Sequence, residues 1–504
     1  MAQEIAALRE FPIFMWLNNY AGAPVSYIAS VIFHFFGSGF IQLRSAMLLI
    51  IFPAHLLFYF IYRRLAGNQA AFAGALFLVF CPYIVMDYST GAYGGYGESF
   101  LGLAMLILLS WRITEGVEED SRGFHFFIMG LTSGFFVYIQ FYVIPAVLVF
   151  IIPVVLKDHH ARWKRVLSFS LGGIIGISPM IVYNIVNRGG SFTRAAGWAM
   201  LIGRDDISAA PSEIIRNIFV HKGAYLMDWF YNLPVNLGQY VVPGIFGSRM
   251  QAASGLFLLI ASGVYVGIFF HNRNKTLSGY YHRQFAIYVL VFIGFHWLVS
   301  LYATRHFMML FYIMPVIFFG LAERYAYLKK VTTLLLLLLA VLQAVGWYDS
   351  FKEQRFDPRP AVEGMQKEGI REFYASYWTG YPIMFLGKGA LIGSPMLLTK
   401  NQPFGERRPH YTEQVVRSDD PAFVFGAEEN SLEEEFLVFL KKNRISYKMV
   451  KVNEISIYNH LSRRVVVSID KKVRRTLFSL QKAPAETLNN PNGVTDGRKI
   501  EKKT

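Results

Sequence analysis

A short segment rich in glycine, tyrosine and acidic residues is the first part of this 504-residue sequence that could carry chemistry. It runs from Asp87 to Glu98 and contains four glycines, three tyrosines and no lysine or arginine. Glycine permits positive φ angles and a close approach of the backbone to another group. Glu98 is a candidate functional carboxylate, because a polar group at the edge of an apolar stretch is costly in lipid unless it faces a cavity. A second interpretation of Glu98 is open, because an acid near a helix start is also stabilised by the helix dipole alone.

Arginine occurs at two places where an apolar stretch meets a short polar link. Arg305 lies with His306 in the link between Tyr302 and Phe307, and Arg44 lies near the start of another apolar stretch. A guanidinium at a membrane surface can hold a phosphate through charge-assisted hydrogen bonds. The alternative for each arginine is a side chain that only extends toward the lipid headgroups.

Helices within a membrane must position these candidates, because the composition excludes an ordinary water-soluble protein. Hydrophobic residues make up 54% of the sequence and charged residues 16%, against about 25% charged in soluble domains. Residues 349–504 contain 26 basic and 20 acidic residues, whereas residues 1–348 contain 23 and 14. The sequence therefore predicts an extracytoplasmic or interfacial segment at 1–39, a multi-span membrane domain at 40–348 with a long outer loop at 187–251, and a polar C-terminal domain.

Apolar stretches recur through the membrane domain, and each is long enough to cross or nearly cross a hydrocarbon core of about 30 Å. We predict about ten spans, although the short pair 124–139 and 141–157 could instead be two half-helices. The stretches lie near residues 41–63, 67–86, 97–113, 124–139, 141–157, 165–186, 252–270, 284–303, 307–323 and 330–348.

The distribution of lysine and arginine predicts the orientation of these spans. Loops 63–64, 112–124, 157–165, 271–283 and 324–330 carry basic residues, whereas loop 87–98 and the link near 140 carry none. By the positive-inside rule the first set is cytoplasmic. The N-terminal segment, loop 187–251, the link at Arg305 and the C-terminal domain then face outward from the cytoplasmic membrane. The net charge of +15 is thereby explained as a topology signal, and nucleic acid is not an expected partner.

The C-terminal domain, 349–482, is predicted to be a small extracytoplasmic α/β domain. Short β-like runs lie at 373–377, 390–394, 422–425, 447–450 and 456–458, with one helix over Ser431–Asn443. Ser431 and Glu434 have the spacing of a capping box. Residues 463–482 contain seven basic residues, which indicate either a surface-lying amphipathic helix or a solvated extension. Residues 483–504 are polar and are predicted to be disordered.

Three segments together carry a family pattern. They are the N-terminal stretch from Met1 to Gly22 with its Phe-Pro and Tyr-x-Gly run, the Gly-Gly-Tyr-x-Glu motif ending at Glu98, and the aromatic segment 374–381 followed by Arg-Pro-x-Tyr at 408–411. In this order and spacing they resemble the membrane-embedded glycosyltransferases of the GT-C fold, in the bacterial branch related to protein mannosyltransferases and the lipid A aminoarabinose transferase. The resemblance extends over nearly the whole chain.

The resemblance also implies two departures from the family pattern. The catalytic aspartate of the family follows its first span, at a position that would lie upstream of Met1. Val25 stands where the family often has a second glutamate. We therefore expect either a start codon assigned too late or an inactive copy, so that activity of this chain is left open and Glu98 is a supporting carboxylate.

The implied reaction is the inverting transfer of a sugar from a polyprenyl-phosphate-linked donor to a glycan, lipid or protein acceptor on the outer face. Glu98 and Tyr96 would orient the acceptor or the sugar, and a divalent cation at Glu98 is the only cofactor considered. The aromatic candidates at 378 and 381 could equally be core residues of a small domain. The substrate-binding candidates are Arg44, Tyr96, Arg305, His306, Asn184, Lys222, Trp378 and Tyr381. The alternative function is a non-catalytic membrane component, either a lipid-linked-sugar transporter or flippase or an inactive paralogue.

Overall fold

The computed structural model describes most of the chain, and all structural statements concern the described residues. These are residues 1–16, 18–91, 93–116, 119–156, 162–188, 190–191, 233–235, 237–241, 243, 247–271, 276–299, 307–323, 325–352, 357–398, 408–470 and 475–480. The chain divides into two compact units, Met1–Arg355 and Phe356–Thr504. The predicted disordered tail, 483–504, lies outside the described residues.

The first unit is built from helices, as the apolar stretches predict. Its helices are α1 (Ala2–Ala6), α2 (Pro24–Phe36), α3 (Phe40–Ala66), α4 (Asn68–Val79), α5 (Tyr83–Thr90), α6 (Tyr96–Thr114), α7 (Glu119–Ile139), a mixed helical stretch α8 (Phe141–Val143, Ile144–Ala146, Val147–Ile151 and Ile152–Leu156), α9 (Arg162–Val186), α10 (Gly247–His271), α11 (Leu277–Val299), α12 (Met308–Leu321) and α13 (Ala326–Lys352).

Each of the ten predicted stretches coincides with one of these helices or with the pair α4 and α5. Among the described residues, α3, α6, α9, α10 and α13 are long and apolar enough to cross a membrane, and the bent pair α4 and α5 would make a sixth span. The predicted class of a helical multi-pass membrane protein is confirmed. The number of spans and their orientation stay predictions.

A small hairpin precedes α2 and packs against the end of α7. Its strands, β1 (Phe14–Met15) and β2 (Asn18–Gly22), are antiparallel. The Tyr138 hydroxyl donates a hydrogen bond to the Ile13 carbonyl. A Cβ on Gly22 would lie 3.0 Å from Cα of Ile139, so a residue without a side chain lets the hairpin lie close to α7.

Helices break at two places around the glycine-rich segment 87–98, once between α4 and α5 and once after α7. The axes of α4 and α5 differ by 75°, at a point where Pro82 cannot donate a helical hydrogen bond. α7 ends because Gln140 is extended, with φ −161° and ψ 130°. α8 then contains a π-helical turn at Val147–Ile151, a feature often found near functional sites.

Glycines allow α7 and α9 to pack backbone against backbone. Gly130 and Gly134 of α7, and Gly172 and Gly176 of α9, have the small-xxx-small spacing of closely packed membrane helices. A Cβ on any of the four would overlap a backbone carbonyl oxygen of the other helix. Other residues of α9, such as Ile174, are exposed, as a lipid-facing surface requires.

An ion pair joins α3 and α6 at the end away from Glu98. Arg64 pairs with Glu115, whose carboxylate also accepts a hydrogen bond from the Tyr281 hydroxyl of α11. The Arg64 guanidinium lies 5.7 Å from the centroid of the Trp111 ring. The predicted loops 63–64 and 112–124 therefore begin at the same end of the helix bundle, as the alternation of loops predicts.

The second unit is the predicted α/β domain, organised around one five-stranded sheet. Its elements are α14 (Arg359–Lys367), β3 (Glu372–Tyr374), α15 (Tyr377–Leu386), β4 (Ile392–Ser394), α16 (Pro409–Arg417), β5 (Ala422–Phe425), α17 (Asn430–Lys442), β6 (Lys448–Val452) and β7 (Ile455–Asn459). The strand order in the sheet is β4-β3-β5-β7-β6. In it β3 is parallel to both of its neighbours, whereas β7 is antiparallel to both β5 and β6.

Two details of this unit differ from the prediction. α17 begins at Asn430, so Ser431 lies inside the helix and the predicted capping box at Ser431 is wrong. The acid that accepts a backbone N–H before the helix is Glu429, which is bonded to Gly426 and to buried hydroxyls. The described parts of 463–482, residues 463–470 and 475–480, form neither a helix nor a solvated extension. They form an antiparallel hairpin, β8 (Val465–Asp470) and β9 (Arg475–Leu480), whose alternate residues pack onto the core.

Candidate active site

Glu98 lies where the first turns of two helices meet. It is the third residue of α6 and is 3% exposed. Its carboxylate makes no hydrogen bond among the described residues and lies near the backbone N–H groups of Val25, Gly95 and Glu98 itself. Val25 belongs to the first turn of α2. The dipoles of two helix N-termini favour a negative charge at this carboxylate, whereas its burial away from water opposes one.

The backbone just before this carboxylate depends on glycine. Gly94 and Gly95 have φ values of 87° and 82°, a region that side chains disfavour. A Cβ on Gly95 would lie 3.0 Å from Cβ of Gln140, and a Cβ on Gly97 would lie 2.7 Å from Cε of Met47 in α3. The expectation of close backbone approach in this segment is confirmed, and the segment lies between the break at Gln140 and helix α3.

Arg44, Asp87 and Tyr93 form a polar group at the segment that leads to Glu98. The Tyr93 hydroxyl lies within hydrogen-bonding reach of the Asp87 carboxylate, and the positive charge of Arg44 acts on both. Burial and the nearby carboxylate raise the pKa of the Tyr93 hydroxyl, so it stays a hydrogen-bond donor at neutral pH. Arg44 is exposed at the start of α3. Sequence reasoning did not select Asp87 as a site residue, although it lies in the segment that was singled out.

A row of aromatic rings leads from this polar group into the interior. Neighbouring ring centroids along the row are 4.9 to 5.8 Å apart. His296 of α11 is fully buried, and its Nδ1 lies 2.9 Å from the Phe292 carbonyl, which fixes Nδ1 as the donor because a carbonyl can only accept. The members are Tyr93, Tyr88, Tyr96, Tyr142, His296 and Phe307.

Sequence reasoning selected Tyr96 from this row and missed His296. The available signal was that His296 is the one histidine in the apolar stretch 284–303, since ionisable residues within membrane segments are rare.

The other predicted site residues are spread over the two units. Asn184 binds Ser191 through its amide, with Nδ2 to Oγ at 2.6 Å and Oδ1 to the Ser191 N–H at 3.1 Å, which supports a structural role at the end of α9. Trp378 and Tyr381 lie on α15 of the second unit, where Trp378 is 47% exposed and Tyr381 packs against an apolar core. Arg305, His306 and Lys222 lie outside the described residues.

The described residues do not fit a cation site at Glu98. Within the described ranges no group of three or more histidine, cysteine or acidic side chains converges where a metal ion could bind. A single carboxylate supplies too few ligands for a magnesium or calcium ion, which take six or more oxygens.

The chain was compared with known proteins. A search of the curated proteins finds no match. Similar solved structures include the ArnT protein of Cupriavidus metallidurans in its apo state (12% identity, TM-score 0.40, 91% of both chains) and bound to undecaprenyl phosphate (12%, 0.42, 91% of this chain and 92% of that one). An oligosaccharyltransferase of Archaeoglobus fulgidus, in complex with zinc and sulfate, has 14% identity and a TM-score of 0.46, with 91% of this chain and 68% of that chain covered.

The family comparison concerns the part of the chain that contains Arg44, Asp87 and Glu98. Residues 23–183, from the start of α2 to the end of α9, match the family model of dolichyl-phosphate-mannose-protein mannosyltransferases. The resemblance to membrane glycosyltransferases of the GT-C fold is thereby confirmed, and it is carried by this membrane segment.

Proposed function

We propose that the protein transfers a sugar from a polyprenyl-phosphate-linked donor to an acceptor hydroxyl at the outer face of the membrane. The observation that carries the proposal is the grouping of an exposed arginine, Arg44, with Asp87 and Tyr93 of the segment that ends at the buried Glu98. All four residues lie within the segment that matches the mannosyltransferase family.

Arg44 is proposed to bind the phosphate of the donor. Its guanidinium is exposed and its charge is near Asp87. A phosphate that arrives can therefore compete with the Asp87 carboxylate for the N–H groups of Arg44. A guanidinium can form two parallel hydrogen bonds to phosphate oxygens and would stabilise the negative charge that develops on the departing lipid phosphate.

Glu98 is proposed to orient the acceptor or the sugar through its carboxylate oxygens. Neither of these oxygens has a hydrogen-bond partner among the described residues, so each is available to accept a hydrogen bond from a hydroxyl. The tyrosines at 88, 93 and 96, which pack on one another in the segment that leads to Glu98, add hydroxyl groups and ring faces that suit a polar and uncharged sugar. The acceptor class, glycan, lipid or protein, is part of the proposal.

The test is a transfer assay with the full chain reconstituted in liposomes. Radiolabelled undecaprenyl-phosphate mannose and undecaprenyl-phosphate aminoarabinose are supplied with a lipid A, a glycan and a peptide acceptor. We expect release of undecaprenyl phosphate together with a labelled acceptor, and loss of both products in Glu98→Gln. Intact donor and unlabelled acceptors in every combination would contradict the proposal.

One observation favours the alternative of a lipid-linked-sugar transporter. The 75° bend between α4 and α5 is the kind of broken helix that transporters use to form binding sites. The same liposomes distinguish the two functions, because a transporter moves the labelled lipid between leaflets without forming a labelled acceptor.

A further inference from the structure

Tyr312 of α12 is bound by two side chains of α3. It is 1% exposed. Its hydroxyl lies 3.0 Å from Nε2 of His55, and its backbone carbonyl accepts a 2.6 Å hydrogen bond from the Tyr62 hydroxyl. His55 and Tyr62 are seven residues apart, which places them on one face of α3 two turns from each other. Two hydrogen bonds therefore fix α3 against α12.

The ring of Tyr312 also contacts α6. Phe100 stacks on it with a centroid distance of 4.1 Å and an interplanar angle of 24°. Phe100 is two residues beyond Glu98, and α3 carries Arg44 at its start. One side chain thus contacts both helices that carry the proposed substrate residues. Its own helix, α12, begins at Met308, three residues beyond Arg305 in the sequence.

Hydrogen bonds in this position specify how the helices are arranged. The surroundings are apolar and buried, so each bond is strong and each unmade bond is costly. Tyr312 lies three residues before Pro315, a residue that removes a helical donor, and neighbouring side chains commonly supply donors near such sites. A buried tyrosine does not always make such bonds. The hydroxyl of Tyr288, which is also fully buried, has no hydrogen-bond partner among the described residues.

We propose that Tyr312 is a positioning residue, which His55 and Tyr62 hold so that Arg44 and Glu98 keep the separation that one substrate requires. The proposal rests on the proposed function, because it assigns both residues to one site. Along α3, Arg44 is 11 residues from His55, or about 16 Å. A small rotation of α3 at Tyr312 would therefore displace Arg44 relative to Glu98. A directional hydrogen bond resists such a rotation better than ring packing alone does.

The experiment uses the full chain in lipid nanodiscs with undecaprenyl phosphate as the probe. The variants are Tyr312→Phe, His55→Leu and His55→Gln, and Tyr288→Phe is the matched control for loss of a buried hydroxyl. Two quantities are measured besides the melting temperature: the dissociation constant for undecaprenyl phosphate, and backbone hydrogen exchange of unliganded protein in peptides covering 40–48 and 93–100.

Tyr312→Phe and His55→Leu should each weaken binding about tenfold, the effect of one lost buried hydrogen bond. Hydrogen exchange should accelerate in both peptides while the melting temperature changes by only a few degrees. The double variant should bind no more weakly than either single variant, because both remove the same bond. His55→Gln keeps a hydrogen-bonding group and should recover binding, and Tyr288→Phe should equal the wild type.

The positioning role would be overturned if Tyr312→Phe and His55→Leu change neither binding nor hydrogen exchange while Arg44→Ala weakens binding. That outcome would leave the proposed function standing. Absence of binding by the wild type, or no effect of Arg44→Ala, would instead contradict the proposed function. The exchange data on unliganded protein still decide in that case whether Tyr312 holds α3 and α6 in place. If Tyr312→Phe does not fold, the comparison of His55→Leu with His55→Gln gives the answer.

Discussion

The carboxylate of Glu98 in α6 lies near the backbone N–H of Val25 in the first turn of α2, and neither of its oxygens has a hydrogen-bond partner among the described residues. Glu98→Gln preserves the size of the side chain and removes its charge. We expect transfer to fall about 10- to 100-fold, the effect of losing a hydrogen bond between the substrate and a charged group, with unchanged expression. The labelled-acceptor assay measures the rate, and size-exclusion chromatography checks the fold. Transfer at the wild-type rate would remove Glu98 from the site.

Arg44 is predicted to determine affinity for lipid phosphate. Arg44→Ala should weaken binding of undecaprenyl phosphate about 10- to 100-fold, the range for a lost hydrogen bond to a charged group. Arg44→Lys should recover part of the affinity, since lysine keeps the charge without the two-pronged geometry. Arg63→Ala, an exposed arginine near the other end of α3, is the matched control. Equal affinities for Arg44→Ala and Arg63→Ala would rule out a specific phosphate site.

Gly130 is predicted to be intolerant of even the smallest side chain. Gly130→Ala places a Cβ against the backbone of α9 and should lower the free energy of unfolding by at least about 3 kcal/mol, the upper range for overpacking. Gly263→Ala in α10, where a Cβ meets no atom within 4 Å, should be neutral or stabilise by up to about 1 kcal/mol. Thermal unfolding in detergent micelles measures both variants. Equal melting temperatures would contradict the backbone contact.

Glu429 is predicted to stabilise the second unit. Its buried carboxylate accepts hydrogen bonds from Ser376 Oγ at 2.6 Å, Thr379 Oγ1 at 3.1 Å and the Gly426 N–H. Glu429→Ala leaves three donors unpaired and should destabilise the unit by about 2 to 4 kcal/mol. Hydrogen exchange in β3 and β5 of the full chain reports the loss. The exposed neighbour Glu428 is the control, and Glu428→Ala should exchange like the wild type.

The membrane helices were predictable from sequence because their signal is local. Each apolar stretch became a helix, and the strands and helix of the second unit appeared near their predicted places. The hairpin of β8 and β9 was not predicted, because the basic residues of this segment indicated an amphipathic helix or a solvated extension. The pattern that indicates a strand here is the alternation of Val465 and Val467 with outward residues. The glycine spacing in α7 and α9 was also visible in the sequence, but no contact between these two helices was predicted from it.

The site could be predicted only in part, because its geometry depends on contacts between distant residues. The acidity and glycines of 87–98 were visible, but nothing local indicates that the backbone at Val25 reaches Glu98. The contact between His55 and Tyr312 spans 257 positions, and no periodicity reports such a pairing. The Asp87 group was missed for the same reason, since its significance comes from Arg44 on another helix.

The glycines between α7 and α9 have a consequence for mutational drift. Every single-nucleotide change of a glycine codon that alters the amino acid introduces at least a Cβ, and alanine is the smallest product. Positions 130, 134, 172 and 176 therefore cannot vary in small steps without moving two helix backbones apart. This restriction protects the fold and is independent of catalysis. In a copy that had lost its activity, Glu98 would be free to change while these four glycines would persist, so the pattern of variation among close relatives would separate an active enzyme from an inactive one.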